Sequence, residues 1–241
     1  MELSLSFLVL VITASTVNSQ VEWDRVTTLV GADIYFKNIV QETMQEVERR
    51  GWWNLKFNED ITQTFGEVLY DWHANGTVTY TNGFLVSIQQ LEAIFTRGTL
   101  FKSTMPDNST AMIANVMGEL IMRDAKIGFD AIVEFIHENT PQRYTGIFNH
   151  NGIVFEVSIQ KNLLTNELST SVSLKSLPAG SGNRMVYMPA NNVTEVLSRV
   201  YVPSNNWNGV RDWGSYVFGP IIKNVSNNHI DFPQFCLGCL R

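Results

Sequence analysis

The longest alternating stretch of the chain, residues 112 to 136, changes phase in its middle. Apolar residues occupy even positions up to Met122 and odd positions from Ala125 onward. Alternation of this kind predicts strands with one buried face. If Arg123 and Asp124 form the tip of an antiparallel hairpin, every facing apolar pair lies on one face. We therefore predict a hairpin here, with one long strand carrying a bulge as the alternative.

The neighbouring stretches alternate in the same way. Residues 77 to 89 keep one parity through Asn82-Gly83, which predicts a single strand bulged at the glycine. Asn151-Gly152 predicts the turn of a second hairpin. Further strands are predicted at residues 65–72, 95–103 and 168–177. The whole is a meander of about six to eight long antiparallel strands, each with one apolar and one solvated face.

Helical spacing flanks this sheet on both sides. Apolar residues spaced by three and four run through residues 29–50 and stop at Gly51, which predicts an amphipathic helix. The same spacing returns over residues 193–201 and again after Asn206. The pattern predicts an α+β fold, in which a long curled antiparallel sheet wraps around a C-terminal helix and an N-terminal amphipathic helix precedes it.

The start of the chain has a different composition. An apolar run ends in small and polar residues, with Val17 and Ser19 at the positions that signal peptidase prefers. This predicts a secretory signal peptide over residues 1–19, and hence a secreted, extracellular protein, with a buried N-terminal strand as the alternative. We expect one domain over residues 20–235, followed by a tail at residues 236–241.

Charge and modification sites add two constraints. The 241 residues include 17 Lys and Arg against 23 Asp and Glu, for a net charge of -6. Mild acidity without a basic run argues against nucleic acid or an anionic membrane as the main partner. A secreted chain would expose four N-glycosylation sequons, which begin at Asn75, Asn108, Asn192 and Asn224.

The two cysteines, Cys236 and Cys239, form a CxxC motif at the C-terminus. Two thiols do not complete a tetrahedral zinc site. The motif also lacks the following helix that a redox CxxC needs, because the chain ends two residues later. We predict a disulfide, either local or between chains.

Catalytic and metal-binding patterns do not emerge from the titratable residues. The four histidines, which are His73, His137, His150 and His229, are scattered without metal-ligand spacing, and we expect them to be solvated in loops. Asp130 and Glu134 occupy the alternate positions that face solvent, and Asp124 lies at the predicted hairpin tip. We expect all three carboxylates to be solvated. Phosphate loops, nucleophile elbows and calcium loops do not occur. We expect no enzymatic activity, no cofactor and no metal.

The predicted inward faces are rich in methionine and phenylalanine, which form a soft lining suited to lipids. The same residues would also suit a solid core. The predicted ligand-lining residues are Phe36, Val40, Met44, Met112, Val116, Leu120, Met122, Ile127, Phe129, Val133, Phe135, Phe148, Phe155, Val157, Val172, Leu174, Val210, Trp213 and Val217.

Three consecutive segments resemble a known family: GTVTYTNGFLVSIQQLEAIFTRG from Gly76, VMGELIMRDAKIGFDAIVEF from Val116, and IVFEVSIQKNLLTNELSTSVSLKSL from Ile153. They resemble the tubular lipid-binding (TULIP) superfamily, and most nearly its mite group 7 allergen-like branch. Juvenile-hormone-binding and takeout-like proteins are related members. This resemblance implies an elongated fold around a helix, with an apolar tunnel for a lipid or terpenoid.

Two functions follow as expectations. The first is a secreted, non-enzymatic binding protein that holds a small hydrophobic ligand in an apolar tunnel, without a transmembrane segment and with only transient membrane or receptor contact. The alternative is a solid-cored extracellular recognition module that binds microbial lipid or a protein partner on its outer surface, as in innate immunity or in allergens.

Overall fold

The structure, a computed structural model, describes residues 28–51, 55–69, 72–104 and 110–236. Three predicted features lie outside these residues: the signal peptide over residues 1–19, the sequon at Asn108, and Cys239 of the predicted disulfide.

Nine strands and four α-helices make up the described chain. In chain order they are β1 (Thr28–Leu29), α1 (Ala32–Arg50), β2 (Ile61–Leu69), β3 (Trp72–Ser87), β4 (Gln90–Thr104), β5 (Thr110–Phe135), β6 (Gln142–Asn162), β7 (Leu168–Ser176), β8 (Val186–Met188), α2 (Asn192–Val200), α3 (Trp207–Trp213), α4 (Gly219–Asn228) and β9 (Phe235–Cys236). A short 3-10 turn (Pro203–Asn206) precedes α3, and a π-helical turn (Gly214–Phe218) joins α3 to α4. We call residues 207–228 the C-terminal helix.

Seven of the strands form one curled antiparallel sheet, which confirms the predicted fold class. Its centre is β5, a strand of 26 residues that pairs with β6 from Ile113↔Asn162 to Val133↔Gln142 without a register shift. Along the other side of β5, β3 and β4 lie end to end. The sheet is therefore organised around a very long ribbon in which β5 lies between β6 on one side and β3 and β4 on the other.

The predicted hairpin at Arg123 and Asp124 is wrong, because residues 110–135 form a single strand. The burial pattern does change phase there, from buried Met122 to buried Ala125. Asp124 has the left-handed backbone conformation, with φ of 48°. This local twist rotates the strand so that its apolar set continues on the same side of the sheet.

The predicted turn at Asn151-Gly152 is also wrong, because both residues lie inside β6. Here too the buried parity changes, from His150 on one side to Ile153 on the other. Arg123 pairs with Gly152, so the two strands change face at the same level. By contrast, the predicted bulge in β3 is confirmed by a register shift between Thr81 and Phe84.

The face change divides the inner side of the sheet between two groups of helices. The half formed by β4, β7 and the N-terminal part of β5 packs against α1 and α4. The other half contains β2 and β8, and α2 packs against both of them. Helix α1 ends at Gly51, as its sequence predicts, and Gly51 N–H donates to the Glu48 carbonyl.

One close approach fixes α1 against β5. A Cβ atom at Gly118 would overlap the Phe36 ring and lie 2.7 Å from the Ile94 carbonyl oxygen. We expect Gly118→Ala to lower the free energy of unfolding by about 1–3 kcal/mol, because the α1–β5 contact is overpacked. Chemical denaturation measures this change.

The control is Gly152→Ala, since a Cβ there meets nothing nearer than 3.9 Å. We expect it to stay within about 0.5 kcal/mol of the wild type. Equal stability of the Gly118 variant and the wild type would contradict the packing described here.

Candidate functional site

The structure brings nearly all predicted lining residues together. Sixteen of the nineteen are buried, and these belong to one connected apolar core. Val172 and Val217 are half-buried and pack against it. Met112 is half-buried and lies outside that core, although it has the same parity as Ala114 and Val116, which belong to it. The inward set is therefore correct except for Met112, while its role as a ligand lining stays a prediction.

The interior is closed around these side chains. Val116, Leu120, Phe148 and Phe155 have 0% of their surface accessible. A side chain that borders an empty tunnel, even a sealed one, keeps surface that a water molecule reaches. These four side chains therefore contact only protein atoms, and an internal ligand would have to separate elements that touch here.

An apolar groove of about 390 Å³ runs between α1 and the start of β4. Two predicted lining residues, Val40 and Met44, form its floor together with Ile88, Leu91 and Ala93, and the remaining residues that line it are polar: Lys37, Gln41, Gln45 and Glu48. Its volume lies at the lower end of the range typical of small-molecule sites. At this groove, beside α1, the connected apolar core borders a space that is open to solvent.

The half of the core beneath the C-terminal helix is aromatic. Phe57 lies between β3 and the helix, where Gly83 and Gly209 leave room for its ring. Trp213 Nε1 donates to the Lys56 carbonyl at 2.9 Å. Successive rings lie with centroids 4.8 to 5.8 Å apart in the order Trp213, Phe57, Phe129, Tyr80, Tyr201, Phe148 and His150. Four of these six contacts are edge-to-face, a geometry that stabilises beyond the area it buries.

A buried polar cluster lies within these rings. Its members are Tyr80, Tyr187, Tyr201, Asn206 and His150. The hydroxyls of Tyr80 and Tyr187 are 2.8 Å apart, and the Tyr201 hydroxyl donates to Asn206 Oδ1 at 2.7 Å. Asn206 Nδ2 lies 2.9 Å from His150 Nε2. Burial raises the pKa of Tyr80 to about 12 and also raises the pKa of Tyr187 and Tyr201, so all three hydroxyls stay protonated and neutral.

The prediction that His150 is a solvated loop residue is wrong, because its side chain is fully buried in β6. The Tyr201 hydroxyl fixes the Asn206 amide so that Nδ2 donates to His150 Nε2, which places the imidazole proton on Nδ1. Burial lowers the pKa of His150 to about 4, and a hydrogen bond between the imidazole and the Pro178 carbonyl opposes this shift.

The sequence pattern indicates part of this cluster. Tyr144 and Phe148 have the inward parity of β6, and His150 continues it. The turn predicted at Asn151-Gly152 placed His150 in a loop, so its inward parity was not recognised. Nothing in the local pattern indicates Asn206, since it reaches His150 only through the tertiary fold.

The other predicted residues lie on the surface. Asn75, Asn192 and Asn224 are exposed, as are the side chains of Asp130 and Glu134. His73, His137 and His229 are also exposed. Within the described residues, no group of three or more metal-ligating side chains is found. None of the helices in this part of the chain has both the length and the hydropathy to cross a bilayer.

The likeness of this chain to known proteins lies in its fold. No protein-family model and no curated protein matches the sequence. The fold is similar to the crystal structure of lipopolysaccharide binding protein, with a TM-score of 0.41 and 8% sequence identity over 85% of this chain. The chain spans 39% of that protein. Nothing in these comparisons singles out the mite group 7 allergen-like branch.

The buried histidine predicts a specific pH dependence of stability. The pKa of His150 is about 4 in the folded protein against 6.5 for a free side chain. The unfolded chain therefore takes up a proton first as the pH falls, so the stability present above pH 6.5 is lost progressively down to pH 4. We expect this one group to remove about 3 kcal/mol of unfolding free energy over that range.

His150→Gln removes the titrating group, so its unfolding free energy should fall less between pH 7 and pH 4.5 than that of the wild type. His73→Gln is the control, because His73 is exposed, and it should retain the full loss. Denaturant titrations at several pH values measure both. An unchanged pH dependence in the His150 variant would contradict the neutral, buried state of this side chain.

Proposed function

We propose that this protein is a non-enzymatic binding protein for a small hydrophobic molecule. The observation that carries the proposal is the apolar groove between α1 and β4, whose floor is continuous with the connected apolar core. Val40 and Met44 belong to both. A ligand in the groove can therefore extend inward by displacing side chains, without crossing a polar layer.

Apart from the close contact of Phe36 with Gly118, helix α1 is free to shift for such a ligand. It packs against β4, β5 and α4 through side chains, so shifting it breaks no hydrogen bonds of the sheet ladder. Met44 on the groove floor is unbranched and adapts to irregular shapes. Burial of about 300 Å² of ligand apolar surface contributes about 7 kcal/mol before the costs of association, which is less than the roughly 8 kcal/mol of micromolar binding, so tight binding requires a ligand that extends from the groove into the core.

The finer parts of the proposal rest on the sequence. The N-terminal apolar run supports secretion, and the resemblance of three segments to tubular lipid-binding proteins supports a lipid or terpenoid ligand. Exposed sequons at Asn75, Asn192 and Asn224 are compatible with a secreted glycoprotein. A mite group 7 allergen-like role belongs to the same proposal.

A charge in the groove tests this function. We expect Leu91→Glu to weaken binding of the neutral dye 1-N-phenylnaphthylamine by at least about tenfold, because binding would desolvate the carboxylate. Fluorescence titration measures the affinity. Native mass spectrometry before and after solvent extraction shows whether the wild type carries a lipid.

Ile94→Glu is the matched control on the same strand. Ile94 is exposed on the opposite face and does not line the groove, so its variant should bind the dye as the wild type does. Thermal unfolding of both variants verifies the fold. Absence of dye binding and of any extractable lipid in the wild type would refute the function.

A second candidate function is surface recognition, and one observation favours it. An apolar row crosses the outer face of the sheet through the register Phe84↔Gly128, Gly128↔Ile147 and Ile147↔Val186. Phe84, Ile147 and Val186 are exposed by 42%, 42% and 62%. Because Gly128 has no side chain, Val86 and Phe84 lie over it. Contiguous exposed apolar surface of this kind marks interaction sites.

We expect Ile147→Ser with Val186→Ser to abolish sedimentation with lipopolysaccharide-containing vesicles if this face recognises microbial lipid. Leu164→Ser is the control, since Leu164 is exposed by 73% in the turn after β6. Dye binding in the groove without vesicle binding would support the first function, which is binding of a small hydrophobic molecule. Vesicle binding that survives the double substitution would exclude this face.

A further inference from the structure

The apolar row on the outer face of the sheet has opposite charges on its two sides. Along β5 the outward positions are Lys126, Gly128 and Asp130, so the row crosses this strand midway between an ammonium and a carboxylate. At about 3.4 Å per residue, each charge lies about 7 Å from the row. Both charged side chains are exposed, and Phe84 and Val86 cover Gly128. The outer face therefore carries an apolar strip with one positive and one negative side.

Neither charge is neutralised by an ion pair within the described residues. No salt bridge among them includes the Lys126 ammonium or the Asp130 carboxylate. Asp130 Oδ2 accepts a hydrogen bond from Asn82 Nδ2 at 2.8 Å, which positions the carboxylate without supplying a cation. Lys126 pairs across the sheet with Ser87 and Asn149, and neither of these carries a charge. Both charges are thus open to a partner outside the chain.

A two-fold axis makes this surface complementary to itself. When two copies of one face pack sheet against sheet, the axis that relates them lies in the plane between the sheets. An axis along the apolar row reverses the strand direction, so Lys126 of each copy faces Asp130 of the other copy. An axis along the strands instead sets lysine against lysine and aspartate against aspartate. Opposite charges meet only in the first arrangement, and contact between like charges opposes the second.

The composition of the patch suits packing of this kind. Packed sheets lie about 10 Å apart, a distance that an extended lysine and an aspartate span together. The exposed apolar side chains of the patch are Phe84, Val86, Ile147, Val186 and Met188. Lys56 pairs with Phe84 at the β3 end of the row and lies at the rim, where solvent screens its charge. The contact would therefore have an apolar centre and charged sides, as protein interfaces do.

We propose that the outer face binds a second copy of this chain, as a two-fold symmetric dimer whose axis follows the apolar row and whose copies share two ion pairs between Lys126 and Asp130. The α1–β4 groove lies on the inner side of the sheet, where Val40 and Met44 belong to the core. The dimer therefore leaves the groove open, and dimerisation is independent of ligand binding there.

The size of the patch sets the strength of the dimer. The patch extends about 14 Å from β3 to β8 and about 14 Å from Lys126 to Asp130. Its footprint is therefore well below the about 800 Å² per partner that standard interfaces bury. We expect a dissociation constant of about 10–500 µM, so that the protein is monomeric when dilute.

A charge swap within one chain tests the dimer. Sedimentation of the purified full chain, with a reductant present to remove any disulfide between chains, should show the mean mass rising toward that of a dimer up to about 500 µM. Lys126→Asp sets aspartate against aspartate twice and should weaken association at least about tenfold, and Asp130→Lys should do the same. The two substitutions combined restore both ion pairs with reversed sign. This double variant should associate within about threefold of the wild type.

Lys223→Asp is the matched control, because it makes the same change of net charge at an exposed position of α4 and should leave association unchanged. Circular dichroism verifies that each variant is folded. A wild type that stays monomeric over the whole range, or a charge swap that stays as weak as the single variants, would overturn the dimer. Monomeric protein that sediments with vesicles through Ile147 and Val186 would assign this face to lipid and overturn the dimer as well.

Discussion

The continuous pairing of β5 with β6 determines how the other elements are placed. Because the register between them never shifts, a change of face in one strand forces the same change in the other. The strands on either side of this pair are interrupted at the same position along it. On one side β3 ends at Ser87 and β4 begins at Gln90, and on the other side β7 stops and β8 starts. The break between the two groups of helices and the interval on β6 between its pairing with β7 and its pairing with β8 thus both lie at the single twist in the central ribbon.

Parity predicted which side chains face inward but not how the strands connect. Leu120 and Phe129 are buried as expected, because each belongs to the apolar set of its own half-strand. A hairpin tip and a face change within one strand leave the same parity signature, so this signal alone does not separate them. The real turn lies at residues 136–141 and contains Asn139 and Pro141, a composition that favours turns. Turn chemistry was therefore the better guide to connectivity.

The buried polar cluster was harder to predict than the apolar core. His150 follows the inward parity of β6, yet its partner Asn206 lies on a different element, far away in sequence. Hydrogen bonds between distant side chains depend on how the helix is placed over the sheet, which local patterns do not encode. The same reason explains why the sequence left tunnel and solid core undecided. The answer depends on how closely the C-terminal helix and the sheet fit, and in this structure the fit leaves Val116, Leu120, Phe148 and Phe155 without accessible surface.

The short pairing of β1 with β9 has a mechanical consequence. Thr28 pairs with Cys236 and Leu29 with Phe235, and the Val30 amide donates to the Gln234 carbonyl. The two strands are antiparallel, so Thr28 and Cys236 lie at the same end of the pair. Tension applied between Thr28 and Cys236 would peel the hydrogen bonds apart one at a time instead of shearing them together. A pull at these two residues would thus separate β1 from β9 before it loads the pairing of β5 with β6.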